Sequence, residues 1–99
     1  MTLQEFKESL QAPHCPTHLN KPLQALWQDG NCAWDKAHEI AQSIDDTTGA
    51  WVHAYLHRKE GDHANASYWY RRAGKAMPTS SLATEWAQIA NALLITDKS

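Results

Sequence analysis

Residues 51–74, "WVHAYLHRKEGDHANASYWYRRAG", decide how the chain folds. Gly61-Asp62 in the middle is a tight-turn signal, and apolar residues recur at helical intervals on both sides of it. At about 100° per residue, Trp51, Val52, Tyr55 and Leu56 share one apolar arc, with His53, His57 and Glu60 alongside. After the turn, Gly61, Ala66, Tyr70, Ala73 and Pro78 follow the spacing G-x4-A-x3-Y-x2-A-x4-P. Alanines let a neighbouring helix approach closely, an aromatic ring fills the groove, and proline ends the helix. The stretch therefore predicts a helical hairpin, with helices over residues 50–60 and 63–76 and Asp62 as the second helix's N-cap.

The same periodicity extends outward in both directions. Thr2 with Glu5 is a capping box, and Leu3, Phe6 and Leu10 follow it, so a first helix is expected over residues 3–11, ended by Pro13 and Pro16. Asn20 ahead of Lys21-Pro22 caps a second helix whose apolar face is Leu23, Leu26 and Trp27. Asp29-Gly30-Asn31 breaks it. Trp34, Ala37, Ile40, Ala41 and Ile44 then mark a third helix over 33–43, and "TSS" caps a last one carrying Leu82, Trp86, Ile89, Ala90 and Leu93. No segment alternates with period two. The expectation is an all-α single domain, 1–99, of five to six antiparallel helices: an N-terminal helix and loop (1–21), two helical hairpins (22–78) and a C-terminal capping helix (79–99).

The 61–78 pattern resembles the second helix of a tetratricopeptide repeat. Gly30, Ala37, Ala41 and Ile44 echo it more weakly, with Gly49 where proline would stand, and Trp86, Ile89, Ala90 and Leu93 match the spacing of a repeat's opening helix. The resemblance implies a right-handed stack with the outer helices capping the two ends of a short array. In that alignment His53 and His57 replace an aliphatic and an aromatic residue, which implies burial against Ala66, Tyr70 and Ala73. "WDKAHEIAQ" together with residues 51–74 also resembles a small family of uncharacterised bacterial proteins, a likeness that carries no activity with it.

Composition limits the function classes. A formal net charge of −2 offers no field for nucleic acid or an anionic membrane. Its distribution is uneven, acidic over 29–46 and basic over 58–75. No apolar run approaches the ~20 residues needed to cross a bilayer. Cys15 and Cys32 without a CxxC, and a start lacking a basic-then-apolar leader, point to a reduced, cytosolic chain. Phosphate-binding glycine loops and nucleophile elbows are missing, and nothing pairs either cysteine, or "HCPTH" with His14 and His18, with a catalytic base. The five tryptophans are available to bury area, in the monomer or in a homodimer.

Two readings of function follow. One is a small cytosolic binding module for a protein, peptide or small ligand, needing no cofactor, with contacts at the second hairpin: His38, His53, His57, Arg58, Glu60, Asn65, Tyr68 and Arg71. Arg58 and Arg71 would meet an anion near the Gly61 turn, and Tyr68 beside arginines would meet a base or a peptide. The other is a metal-binding protein or hydrolase-like enzyme. His53-x3-His57 is the i, i+4 spacing at which two imidazoles share an ion such as zinc, with His38 as third ligand and Glu60 as ligand, base or orienting acceptor. The HExxH order is absent, and the residues favour the binding module over the enzyme.

Overall fold

The structure is a computed structural model that describes residues 1–97. Its described residues form six helices and no strand: α1 (Leu3–Ser9), α2 (Lys21–Gly30), α3 (Trp34–Gln42), α4 (Thr47–Glu60), α5 (His63–Ala73) and α6 (Leu82–Asp97). None is long and apolar enough to cross a membrane.

Most of the start signals act as the sequence predicts. Thr2 and Glu5 form the reciprocal capping box of α1, and Asn20 Oδ1 accepts from Leu23 N at 3.0 Å. Asp62 accepts from Asn65 N, and Ser81 Oγ accepts from Thr84 N at 3.1 Å. The helix ends differ more. Helix α2 runs through Asp29 to Gly30 instead of breaking there. Asp46 caps α4 three residues earlier than expected, accepting from Gly49 N at 2.8 Å. Helix α5 stops at Ala73, because Gly74 adopts a left-handed φ of +73° and closes the helix before Pro78 can act.

Helices α2 and α3 form one hairpin, α4 and α5 the other, and α3 packs on α4 between them. Ala37 and Ala41 on α3 are fully buried, so the two backbones can come close. Helix α6 does not continue the row beyond α5. It lies across α2 and α4, meets α1, and reaches α5 through the side chain of Tyr70. The outer helices thus come together on one face of the hairpins, where the sequence predicted caps at opposite ends. The cause is the apolar face of α6: Trp86, Ile89, Ala90, Leu93 and Leu94 join Leu23, Leu26, Val52, Leu56 and Phe6 in one core. Phe6 stacks on Trp86, with ring centroids 5.4 Å apart, and the Trp86 indole donates to Leu26 O at 3.1 Å.

This arrangement makes α4 the central helix. It touches α2, α3, α5 and α6, and is buried from Gly49 to His57 except at Trp51. A helix surrounded in this way must partner every polar group it carries. Tyr55 Oη donates to Asp29 at 3.0 Å, and Lys59 Nζ reaches the same carboxylate at 2.9 Å. Arg58 donates to Glu85 at 2.8 Å and to Ser80 O, while Tyr70 Oη donates to Glu85 at 2.6 Å. Asp29 and Glu85 are each 2% exposed. Burial, with the adjacent carboxylates adding to it, pushes both tyrosines well above the usual phenol range and keeps them as donors.

Candidate metal centre

His53 and His57 stand one turn apart on α4, and both are buried. His38 comes from α3, where Trp34 precedes it by one turn on the same side of the helix. The close α3–α4 packing sets His53 Nε2 3.0 Å from His38 Nε2. Each of the three imidazoles contributes one nitrogen to a group whose members all lie within 4.8 Å of one another. Their ring centroids are 4.6, 4.8 and 5.1 Å apart.

Two tryptophans flank the cluster. Trp34 stacks on His38 with centroids 4.9 Å apart, and its indole is fixed by donating to Leu56 O at 2.9 Å. Trp69 on α5 stacks on His53 at 4.0 Å. The sequence reading set His53 against Ala66, Tyr70 and Ala73. Ala66 and Tyr70 pack on Ala54, and the ring stacked on His53 is Trp69, a contact the spacing did not give.

Glu60 lies one turn beyond His57 and holds its Nδ1 at 2.6 Å. That contact leaves His57 Nε2 as the nitrogen without a carboxylate, and it sets the ring orientation. Burial, reinforced by the neighbouring imidazoles, lowers the pKa of His53 to about 4. Burial also lowers that of His38, then His57 adds to the effect, while Glu60 and Asp35 oppose it. Both rings are therefore neutral near pH 7, the form that offers a lone pair to a metal. Two neutral rings in Nε2 to Nε2 contact must be opposite tautomers, one donating and one accepting.

The other sequence candidates are dispersed. Arg58 is bound to Glu85 and Ser80 O, so it faces α6 rather than an open pocket at the Gly61 turn. Glu60 pairs with His57, not with an arginine. Asn65 belongs to the Asp62 cap. Tyr68 is 46% exposed and accepts a hydrogen bond from Arg72, whereas Arg71 stands exposed on the α5 surface. His14 and His18 remain exposed in the α1–α2 loop and are not part of the histidine group. Only His38, His53, His57 and Glu60 of the predicted residues come together.

Trp34, Trp69 and Arg72 also stand at the site, although their sequence positions suggested only helix packing for the tryptophans and a cation beside Tyr68 for Arg72. The Trp34-x3-His38 spacing was the available signal for Trp34, since i, i+4 places both rings on one side of a helix. Beside the cluster opens a cavity of about 270 Å³, whose wall includes Asp45, Asp46, Thr47, His53, Trp69 and Arg72. His53 thus has one side toward the histidine cluster and another toward this space. No family model, curated protein or solved structure matches the chain, so the reading of the site rests on its own geometry.

Proposed function

We propose that this chain binds one divalent metal ion of the zinc class through His38, His53 and His57, with Glu60 orienting His57. The observation that carries the reading is the convergence of three ring nitrogens within 4.8 Å of one another from two packed helices. Three points so close have a common point within about 2.8 Å of each, and metal–nitrogen bonds of ~2.0–2.1 Å need only small side-chain movements beyond that. The Glu60–His57 contact is the carboxylate–histidine arrangement that fixes ligand orientation. The low proton affinity of His53 and His38 removes a competitor for the lone pairs.

His38, His53 and His57 would hold the ion through uncharged ring nitrogens, so its double charge would remain available to polarise a ligand. A zinc ion held there would act as a Lewis acid, able to activate a bound water near neutral pH. The scaffold we read as a diverged tetratricopeptide-like pair of hairpins in a cytosolic protein, supported by the Ala66–Tyr70 packing on Ala54 and by two free cysteines. A module that docks a partner on an apolar face has less on its side. Such faces run to several hundred Å², and the exposed large hydrophobic residues among those described are Tyr68 on α5 and Ile95 on α6.

Zinc titration with elemental analysis after gel filtration tests the proposal. The expected result is one ion per chain, no retained ion in His53→Ala or His57→Ala, and binding weakened about 10–100-fold in Glu60→Gln. A metal-free wild type, or His variants that keep their zinc, would refute it; zinc kept by His53→Ala alone would move the ion to His57, Glu60 and Asp62.

A further inference from the structure

The cavity beside His53 combines opposite charges with an apolar wall. Arg72 holds its guanidinium 5.1 Å from the centre of the Trp69 ring, at the cavity's edge. Its Nη1 donates to Tyr68 Oη at 3.2 Å, and neither Arg72 nor Asp45 takes part in an ion pair among the described residues. Asp46 is committed to the α4 N-cap, and that helix's first residue, Thr47, also lines the space. Ile44, Ala50 and the Trp69 ring provide the apolar part. A simple anion such as phosphate would meet two carboxylates here, and a simple cation would meet Arg72 and the positive end of α4. A ligand bearing both charges satisfies both sides. A volume of about 270 Å³ lies near the lower end of the ~300–1,000 Å³ range of small-molecule sites, so the occupant is a small molecule.

We propose that this cavity binds a zwitterionic α-amino acid with an apolar side chain of about leucine size, its carboxylate at Arg72, its ammonium at Asp45 and its side chain against Trp69, Ile44 and Ala50. Charge-assisted hydrogen bonds at the two ends set the orientation, and the apolar wall sets the side-chain class. The site goes beyond the metal centre and shares only His53 with it, so a ligand seated there lies beside the ion without needing it.

Calorimetric titration of the metal-free protein with L-leucine, N-acetyl-L-leucine and L-leucinamide tests this, with inorganic phosphate as a fourth titrant. Leucine is expected to bind with a submillimolar Kd, and each blocked analogue at least about tenfold more weakly, because each lacks one of the charges. Arg72→Met should lose leucine by a similar factor and cease to distinguish leucine from leucinamide. Asp45→Asn should cease to distinguish leucine from N-acetyl-leucine. Both residues are exposed, so an unchanged helical circular-dichroism spectrum verifies the fold of each variant. Absence of leucine binding, equal binding of the three compounds, a phosphate preference, or an unaffected Arg72→Met variant would overturn the proposal. Leucine binding by metal-free protein and zinc retention are separate readouts, so either site can fail without the other.

Discussion

Acid should unfold this protein partly through His53. In an unfolded chain its imidazole titrates near 6.5; in the fold it titrates near about 4, because burial and then the His38 and His57 rings disfavour the cation. Between those values the unfolded chain holds a proton that the folded chain refuses. Stability from this group is therefore complete above about pH 6.5, declines as pH falls, and reaches its lowest value below about pH 4. A shift of some 2.5 pH units at 1.36 kcal/mol each amounts to about 3 kcal/mol, of which about 2–3 kcal/mol is lost by about pH 4.5. Against a total of ~5–15 kcal/mol that loss is large. The groups facing the ring are His57 on its own helix, His38 on α3 and Trp69 on α5, and the carboxylates of Glu60 and Asp35 act on the cluster through His38. Urea unfolding with chelator present, at about pH 7 and about pH 4.5, measures the loss in wild type and in His53→Gln. Glutamine does not titrate, so the variant should be less stable at neutral pH yet lose about 2 kcal/mol less on acidification. Equal acid losses in the two proteins would refute the reasoning, since the two chains differ at this one residue.

Two substitutions test the frame that holds the centre. Glu85→Ala removes the acceptor shared by Arg58 and Tyr70, leaving the half-buried Arg58 with Ser80 O alone and the buried phenol of Tyr70 unpartnered, so urea unfolding should show a loss of about 2–3 kcal/mol; a loss below ~1 kcal/mol would mean that water reaches the site. Gly49→Ala would set a Cβ 2.5 Å from the Ile44 carbonyl oxygen and 2.6 Å from its Cβ, where backbone must shift. The strain of about 1–3 kcal/mol should exceed the ~1 kcal/mol that alanine gains in helix propensity, so net destabilisation is expected and a stabilised variant would contradict the close approach.

Much of the fold was legible in local signals. The Thr2–Glu5 box, the Asn20 and Asp62 caps and the Gly61 turn act over three or four residues, and the structure uses each of them. Helix ends were less legible where two signals competed, as when Gly74 closed α5 ahead of Pro78. The position of α6 was the main failure, for a physical reason. The apolar stripe from Trp86 to Leu93 specifies that the helix must be covered, but not whether α5 or the α2–α4 face covers it. That choice is made by groups distant in sequence: Glu85 meeting Arg58 and Tyr70, and Phe6 meeting Trp86.

The histidine centre shows the same division. The His53-x3-His57 spacing gives two ligands, and Glu60 follows at helical spacing, so three of the four residues were readable from α4 alone. His38 required knowing that α3 and α4 approach closely, which the buried Ala37 and Ala41 permit. Because α4 is enclosed, a polar residue persists on it only where something meets it. Tyr55 meets Asp29, and Arg58 meets Glu85. His53 is the exception in kind: its Nε2 meets another neutral nitrogen, in a bond that one carboxylate or carbonyl would have made more strongly. If burial and packing alone had to be satisfied, leucine would serve at all three histidine positions. Imidazoles whose protonated forms are disfavoured by one another, set beside an orienting carboxylate, are the arrangement that the proposed metal ion would satisfy.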